Sequence, residues 1–360
     1  MSHATPTQTP MNSDIVWQDP QRAAQFEAWL VNAACVHQLH AASVRLASAD
    51  ASFRRYFRIA SAHGSRIIMD APPERENCQP FVKVAQLMQA AGLYAPEVLA
   101  WDEAQGFMLL TDLGGQTMMQ VVQRDDPQAN LPLYQQAVDA LVTWQLASKP
   151  DVLPPYDHAL LRRELELFPE WYLGRHRGVV VDEVMRGTLD AVFEQIIATN
   201  LAQPSVYVHR DFMPRNLMAP TTPGGALGVL DFQDAVYGPV TYDITSLMRD
   251  AFLSWDEDFC LDITIRYWDQ ARKAGLPVGD DFGEFYRGVE WMGLQRHLKV
   301  AGIFARLTLR DGKPHYLADT LRFIQYIRAT CARYRELKPL LRLVDQVEGI
   351  VASDVFVIGR

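Results

Sequence analysis

The sequence predicts an α+β fold in two lobes, a small sheet-rich N-terminal lobe and a larger helical C-terminal lobe. Three observations carry this expectation. Short strand-like apolar runs crowd the first third of the chain, long amphipathic segments take over from Gly114-Gly115 onward, and one strand–loop–strand island at 205–231 interrupts the helical part.

Taken in order, residues 1–18 form a polar, Thr/Gln/Pro-rich stretch that reads as a disordered tail, with no basic-then-apolar pattern of a secretory signal. Asp19-Pro20 then opens a helix as N-cap and first-turn proline, and Phe26, Trp29, Leu30 and Ala33 follow at helical spacing. Strand-like runs come next at 44–46, 56–59 and 66–69, with a loop of small residues at 48–55 between the first two. Pro72-Pro73 breaks the chain before a helical stretch at 80–91 and two further strands near 98–100 and 107–111. A hinge is expected at Asp112-Leu113-Gly114, dividing an N-lobe at 19–113 from a C-lobe at 114–360. Amphipathic segments cover 131–148, 159–173 and 181–199. The island at 205–231 reads strand, loop, strand, Gly-rich turn, strand, and helical patterns return from 242 to about 340.

Bulk composition narrows the function. The 360 residues are 49% hydrophobic and 21% charged, enough for two buried cores. A net charge of −9 disfavours sequence-independent nucleic-acid binding. No apolar run approaches the ~20 residues that span a bilayer. The four cysteines, at 35, 78, 260 and 331, are scattered without C-x-x-C pairs, which suggests reduced thiols in a cytoplasmic protein rather than zinc or disulfides. Nothing in the sequence sets the oligomeric state.

The chemistry concentrates in His209-Arg210-Asp211-Phe212-Met213-Pro214-Arg215-Asn216. Asn216 stands five positions after Asp211, and a second apolar strand ends 15 residues later in Asp231-Phe232. Phosphoryl transfer explains these residue types. One carboxylate orients the acceptor hydroxyl and takes its proton, while a second carboxylate and an amide oxygen hold Mg²⁺ against the nucleotide phosphates. Asp211 is the expected catalytic residue, with Asn216 and Asp231 as metal ligands brought together by the two loops. Alone, Asp211 could cap a turn and Asp231 could end a strand; the combined spacing is far more specific. His209 and Arg210 are expected to pack and brace the loop.

This run, with Leu230-Asp231-Phe232-Gln233-Asp234, Gly238-Pro239 and Tyr242-Asp243-Ile244, resembles the aminoglycoside phosphotransferase/choline kinase family, a branch of the protein-kinase-like fold. The resemblance implies ATP and Mg²⁺ as cofactors and Asp243 as a support for the loops. Too few residues separate Asp231 from Asp243 for a regulatory activation segment, which argues against protein substrates. Four further runs, at 50–58, 69–73, 167–172 and 293–299, resemble the anomeric N-acetylmuramate/N-acetylglucosamine kinases of bacterial cell-wall recycling. That resemblance spans roughly residues 15–345 and implies a small amino-sugar substrate phosphorylated at C1.

Kinases of this fold usually place a Lys on the third strand, but here that strand reads Arg66-Ile67-Ile68-Met69-Asp70. Arg54, Arg55, Arg58 and Lys83 are the alternatives for meeting phosphate charge. The loop also lacks glycines, leaving the Ser52 and Phe53 amides and the Ser52 hydroxyl as a phosphate cradle. Adenine is expected on the backbone of Thr111, Asp112 and Leu113. For the acceptor, Trp171 offers a stacking face and Arg296 with His297 a basic pair suited to the muramate carboxylate; Arg215, Gln233 and Asp234 join them as acceptor-binding candidates. Two other readings stay open: an aminoglycoside, choline or homoserine kinase of the same fold, and a catalytically inactive nucleotide-binding module.

Overall fold

In the computed structural model the described residues are 15–49, 53–222, 224–314, 316 and 320–350. The first elements in chain order are α1 (Pro20–His37), β1 (Arg45–Ala49), β2 (Arg55–Ser61), β3 (Gly64–Asp70), α2 (Gln79–Ala90), β4 (Val98–Asp102) and β5 (Phe107–Thr111). After them come α3 (Met118–Val121), α4 (Leu131–Leu146), α5 (His158–Leu165), a π-helical segment (Phe168–His176), α6 (Glu183–Leu201), β6 (Ser205–Val208), β7 (Leu217–Met218), β8 (Gly228–Val229) and β9 (Val236–Pro239). Five helices finish the chain: α7 (Tyr242–Met248), α8 (Glu257–Lys273), α9 (Phe282–Leu309), α10 (Thr320–Arg333) and α11 (Lys338–Glu348). They fall into two compact units.

The first unit takes the described residues up to Gln116 together with Met218–Asp234. Its sheet runs β1-β2-β3-β5-β4 with antiparallel neighbours. Strand β2 alternates, burying Phe57 and Ile59 while Arg58 stays half-exposed and Ala60 exposed, the period-2 pattern of a one-sided sheet. Against that face lies α1. It starts where the Asp19 carboxylate accepts the Gln21 N–H and ends at Gln38 in the left-handed region. Its Phe26, Trp29, Leu30 and Ala33 join Phe57, Ile59, Ile68, Phe107 and Leu109 in one core; each fully buried aromatic contributes about 2–3 kcal/mol. Ile15 and Trp17, expected in the tail, pack against this core: the Trp17 ring lies 5.1 Å from Phe26 and 5.8 Å from Phe57. Gly106 turns the chain between β4 and β5 at φ +72°, where a Cβ would fall 2.0 Å from the Ala71 carbonyl oxygen.

Residues 218–234, assigned by sequence to the helical lobe, group with this sheet-rich unit. The Val229 amide donates to the Tyr94 carbonyl at 2.8 Å. The Phe232 ring packs 4.9 Å from Phe81 of α2.

The second unit is built around α9, whose side chains are buried along most of its length. The π-helical segment, α10, α7 and α6 all pack against it. Strands β6 and β9 pair antiparallel, with Val208 opposite Val236. The sequence reads 159–173 as one amphipathic segment, whereas the structure stops α5 at Leu165 and continues in wider π-helical turns from Phe168. Pro169 has no N–H to continue the α-helical ladder, which accounts for the change of winding. No helix among the described residues is long and apolar enough to cross a membrane.

Candidate active site

Strand β6 buries Val206, Tyr207 and Val208 and delivers the chain to His209, itself fully buried. The next residue, Arg210, has φ +76°. For a side chain this large such a backbone is strained by roughly 1–3 kcal/mol and has to be held from outside. Its amide, its carbonyl and its guanidinium are each held. Asp243, in the first turn of α7, accepts the His209 N–H at 2.6 Å and the Arg210 N–H at 3.0 Å. Arg296 of α9 donates its Nη1–H to the Arg210 carbonyl at 2.9 Å. Glu164 of α5 accepts from the Arg210 guanidinium at 2.6 Å.

The turn that follows is closed by its own amides. The Met213 amide donates to the Asp211 carbonyl at 3.0 Å, and the Asn216 Nδ2 donates to the same carbonyl at 2.9 Å. An amide anchored through its nitrogen keeps its oxygen as a candidate donor, of the hard kind that Mg²⁺ takes. Asp211 is half-buried, and its N–H points to His209 Nδ1 at 3.3 Å.

Beneath the loop lies a charge cluster. Glu164, 4% exposed, accepts from Arg210, from Lys299 Nζ at 2.9 Å and from the Tyr156 hydroxyl. Burial alone would raise the Glu164 carboxyl, but Lys299 and Arg210, with hydrogen bonds from Tyr156 and Lys299, hold it down at about 2. Asp243 goes the other way. Burial pushes its carboxyl up to about 7, against the His209 and Arg210 amides and the Arg296 charge. Glu164, Tyr156 and the bracing role of Lys299 are absent from the expected site. The signal for Glu164 is its register: it sits in line with buried Leu161 and Leu165 on α5, where a carboxylate is costly unless paired.

Other expected acceptor residues have different surroundings. His297 is corrected from acceptor contact to core: its ring is 1% exposed, stacked 4.8 Å from Tyr326, with Phe323 on another side. Burial and the charges of Arg249 and Arg296 keep that imidazole neutral, well below its usual pKa. Trp171 is buried too, and Arg175 lies 4.2 Å above its ring, so this face is already covered and is no open sugar platform. Arg296 is buried, its guanidinium 4.8 Å from the Tyr242 ring. Arg215 is exposed and stacks 4.8 Å over Phe252.

In the first unit, Asp231 also has a positive φ, +64°, a conformation that Asp tolerates better than most side chains. Gln233 Nε2 donates to Asp231 Oδ1 at 2.9 Å, and Asp234 is exposed. Ser52 lies outside the described residues. Phe53 is 56% exposed beneath Arg75, and its N–H reaches Glu76 Oε1 at 3.3 Å. Arg54 is buried in an ion pair with Glu76 at 3.2 Å, while Arg55 donates to the Val16 carbonyl at 3.1 Å and covers Trp17 at 4.3 Å. Arg58 forks onto Asp112 at 2.7 and 3.0 Å and reaches the Gly114 carbonyl at 2.6 Å. The Thr111 amide is used by the Glu97 carbonyl at 3.1 Å, and Leu113 is buried. At the end of β3, where a Lys would be usual, Asp70 binds Arg22 of α1 at 2.7 Å.

The chain is similar to known proteins over most of its length. The profile of the phosphotransferase enzyme family matches residues 43–279. An N-acetylmuramate/N-acetylglucosamine kinase of Pseudomonas putida is 48% identical over 93% of this chain and 95% of its own length. The protein of the same name from Pseudomonas aeruginosa is 46% identical over 91% and 97%. Among solved structures, an ethanolamine kinase of Plasmodium vivax superposes with a TM-score of 0.59 at 12% identity, over 92% of this chain and 93% of that one. The α+β fold is therefore that of the small-molecule kinases, and the chain belongs to the phosphotransferase enzyme family.

Proposed function

We propose that this protein is an ATP- and Mg²⁺-dependent kinase of N-acetylmuramate and N-acetylglucosamine that phosphorylates the anomeric C1 hydroxyl. The observation that carries the reading is the near-full-length similarity to kinases of that name, 45–48% identical in three organisms. The sugar 1-phosphate would serve the recycling of peptidoglycan sugars, and a reaction that consumes ATP is assigned to the cytoplasm.

In this reading Asp211 orients the sugar hydroxyl and takes its proton late in the transfer. A hemiacetal hydroxyl is more acidic than an ordinary alcohol, so a carboxylate suffices as base. The loop needs no movement to present Asp211, because Asp243, Arg296 and Glu164 fix residue 210 beforehand. Asn216 and Asp231 are the residues that would supply oxygen donors for Mg²⁺, and the ion, when bound, would offset the charge that develops on the transferring phosphoryl group.

The test supplies ATP, Mg²⁺ and each sugar, then locates the product phosphate by phosphorus–carbon NMR coupling. Coupling to C1 is expected, and Asp211→Asn should lower turnover by about 10³-fold or more with an unchanged circular-dichroism spectrum. Phosphate on C6, or near-normal turnover by Asp211→Asn, would refute the assignment.

A further inference from the structure

The catalytic turn directs one long side chain outward. Phe212, Met213, Pro214 and Asn216 are buried, whereas Arg215 among them is exposed. The other cations of this region are already engaged. Arg210 and Lys299 share Glu164, and buried Arg296 holds the Arg210 carbonyl. Among the described residues Arg215 has no ion pair and no hydrogen bond, and its guanidinium lies over the Phe252 ring at 4.8 Å.

Phe252 is itself fixed. It is half-buried in the loop between α7 and α8, its ring 5.7 Å from Phe304 of α9 and 6.3 Å from Tyr316. Phe304 is buried, 5.2 Å from Phe323 of α10. A guanidinium laid over an aromatic ring has one face covered, but its N–H groups still point out along the edge of its plane. That edge is the part that takes a carboxylate in a two-pronged grip. The ring also restrains a side chain that would otherwise lose its freedom on binding, so the site is prepared for an anion in advance.

The acceptor's own chemistry identifies the anion. N-acetylmuramate and N-acetylglucosamine differ at O3, which is a hydroxyl in the second and carries a lactyl ether ending in a carboxylate in the first. C3 is two ring carbons from C1, so the group that meets the lactyl carboxylate has to stand close to the group that meets O1. Arg215 follows Asp211 by four residues, in a turn closed on the Asp211 carbonyl by the Met213 and Asn216 amides. Arg296 and His297, the basic pair expected for this carboxylate, are buried. We propose that Arg215 binds the lactyl carboxylate of N-acetylmuramate and so sets the preference between the two sugars. The inference rests on the amino-sugar reading above, with Asp211 meeting the C1 hydroxyl. N-acetylglucosamine, which has no carboxylate, leaves the guanidinium edge to water.

The experiment compares the full chain with Arg215→Gln and Arg215→Lys, each given ATP, Mg²⁺ and either N-acetylmuramate, its neutral lactyl amide or N-acetylglucosamine. The ratio of kcat/KM for N-acetylmuramate to that for N-acetylglucosamine should fall about 10-fold or more in Arg215→Gln. The fall should come through KM rather than kcat, because the carboxylate is remote from the reacting bond. Arg215→Lys keeps the charge but loses the fork and should fall between. Converting the carboxylate to the amide should cost the wild type about 10-fold or more and Arg215→Gln much less. Since Arg215 is exposed, both variants should melt within about 2 °C of the wild type. An unchanged sugar ratio in Arg215→Gln, or equal amide penalties in the two proteins, overturns the inference and leaves Arg215 a solvated surface charge. Equal losses on both sugars overturn it as well, by assigning Arg215 to the nucleotide or to the loop. Absence of wild-type turnover with both sugars overturns the amino-sugar reading and this inference together. Failure confined to the variant comparison overturns the inference alone.

Discussion

Replacing Glu164 by Gln removes one negative charge from beneath the catalytic loop and leaves Arg210 and Lys299 buried without it. The magnitude follows from the carboxyl's own displacement. Each tenfold change in proton affinity is worth about 1.4 kcal/mol, so lowering Glu164 from 4.5 to about 2 on folding stabilises the native state by about 3 kcal/mol. Breaking a buried ion pair from one side costs about 3–5 kcal/mol, in agreement. For a unit of roughly 200 residues this lowers the midpoint by about 6–12 °C. The sign with pH is fixed because the folded value is the lower one. The contribution is full above 4.5 and is lost as pH falls through about 2. By pH 3 the deficit of Glu164→Gln should shrink to roughly 1 kcal/mol. Thermal melts of both proteins by circular dichroism at pH 7 and pH 3 measure it. An equal deficit at the two pH values, or one below about 1 kcal/mol at pH 7, would refute the reasoning.

Gly302→Ala would put a Cβ 2.4 Å from the Leu167 carbonyl carbon and oxygen, a backbone clash that should cost about 1–3 kcal/mol in denaturant unfolding and lower kcat, since Lys299 is one turn away. Arg58→Lys gives up the two-pronged grip on Asp112 and should lose about 1–2 kcal/mol near neutral pH. Burial raises the Asp112 carboxyl, but the Arg58 and Gly114 hydrogen bonds bring it below its usual 3.8, so this loss should fade as the solution is acidified past that value; urea unfolding followed by tryptophan fluorescence reads it.

The sequence made local features legible and left long-range ones hidden. Asp19-Pro20 marked the start of α1, and the run from His209 to Asn216 forms the turn that follows a short strand, as expected. Asp243 was legible as a loop support because the family pattern carries it. Glu164 was not, because its charged partners, Arg210 and Lys299, lie 46 and 135 positions away and nothing near it in the chain mentions them. Trp171 and His297 looked like sugar contacts because aromatic and basic residues suit sugars; only packing shows that Arg175 and Tyr326 already occupy their faces. The tail misled for a related reason: Ile15-Val16-Trp17 is a short apolar run beside a polar stretch, and the partners of Trp17 come from α1 and β2.

Helix α9 spans 28 residues, about 42 Å of unbroken axis. Near its start Glu290 is clamped by Arg333 and Tyr334 around the end of α10; at its middle Arg296 and Lys299 reach the catalytic loop; toward its end Gly302 lies flush against Leu167. A continuous helix fixed at three points transmits displacement along its axis more than it absorbs it. Drift in the C-terminal helices should thus reach the chemistry mechanically, and compensating changes during evolution should be sought at the clamps rather than beside Asp211.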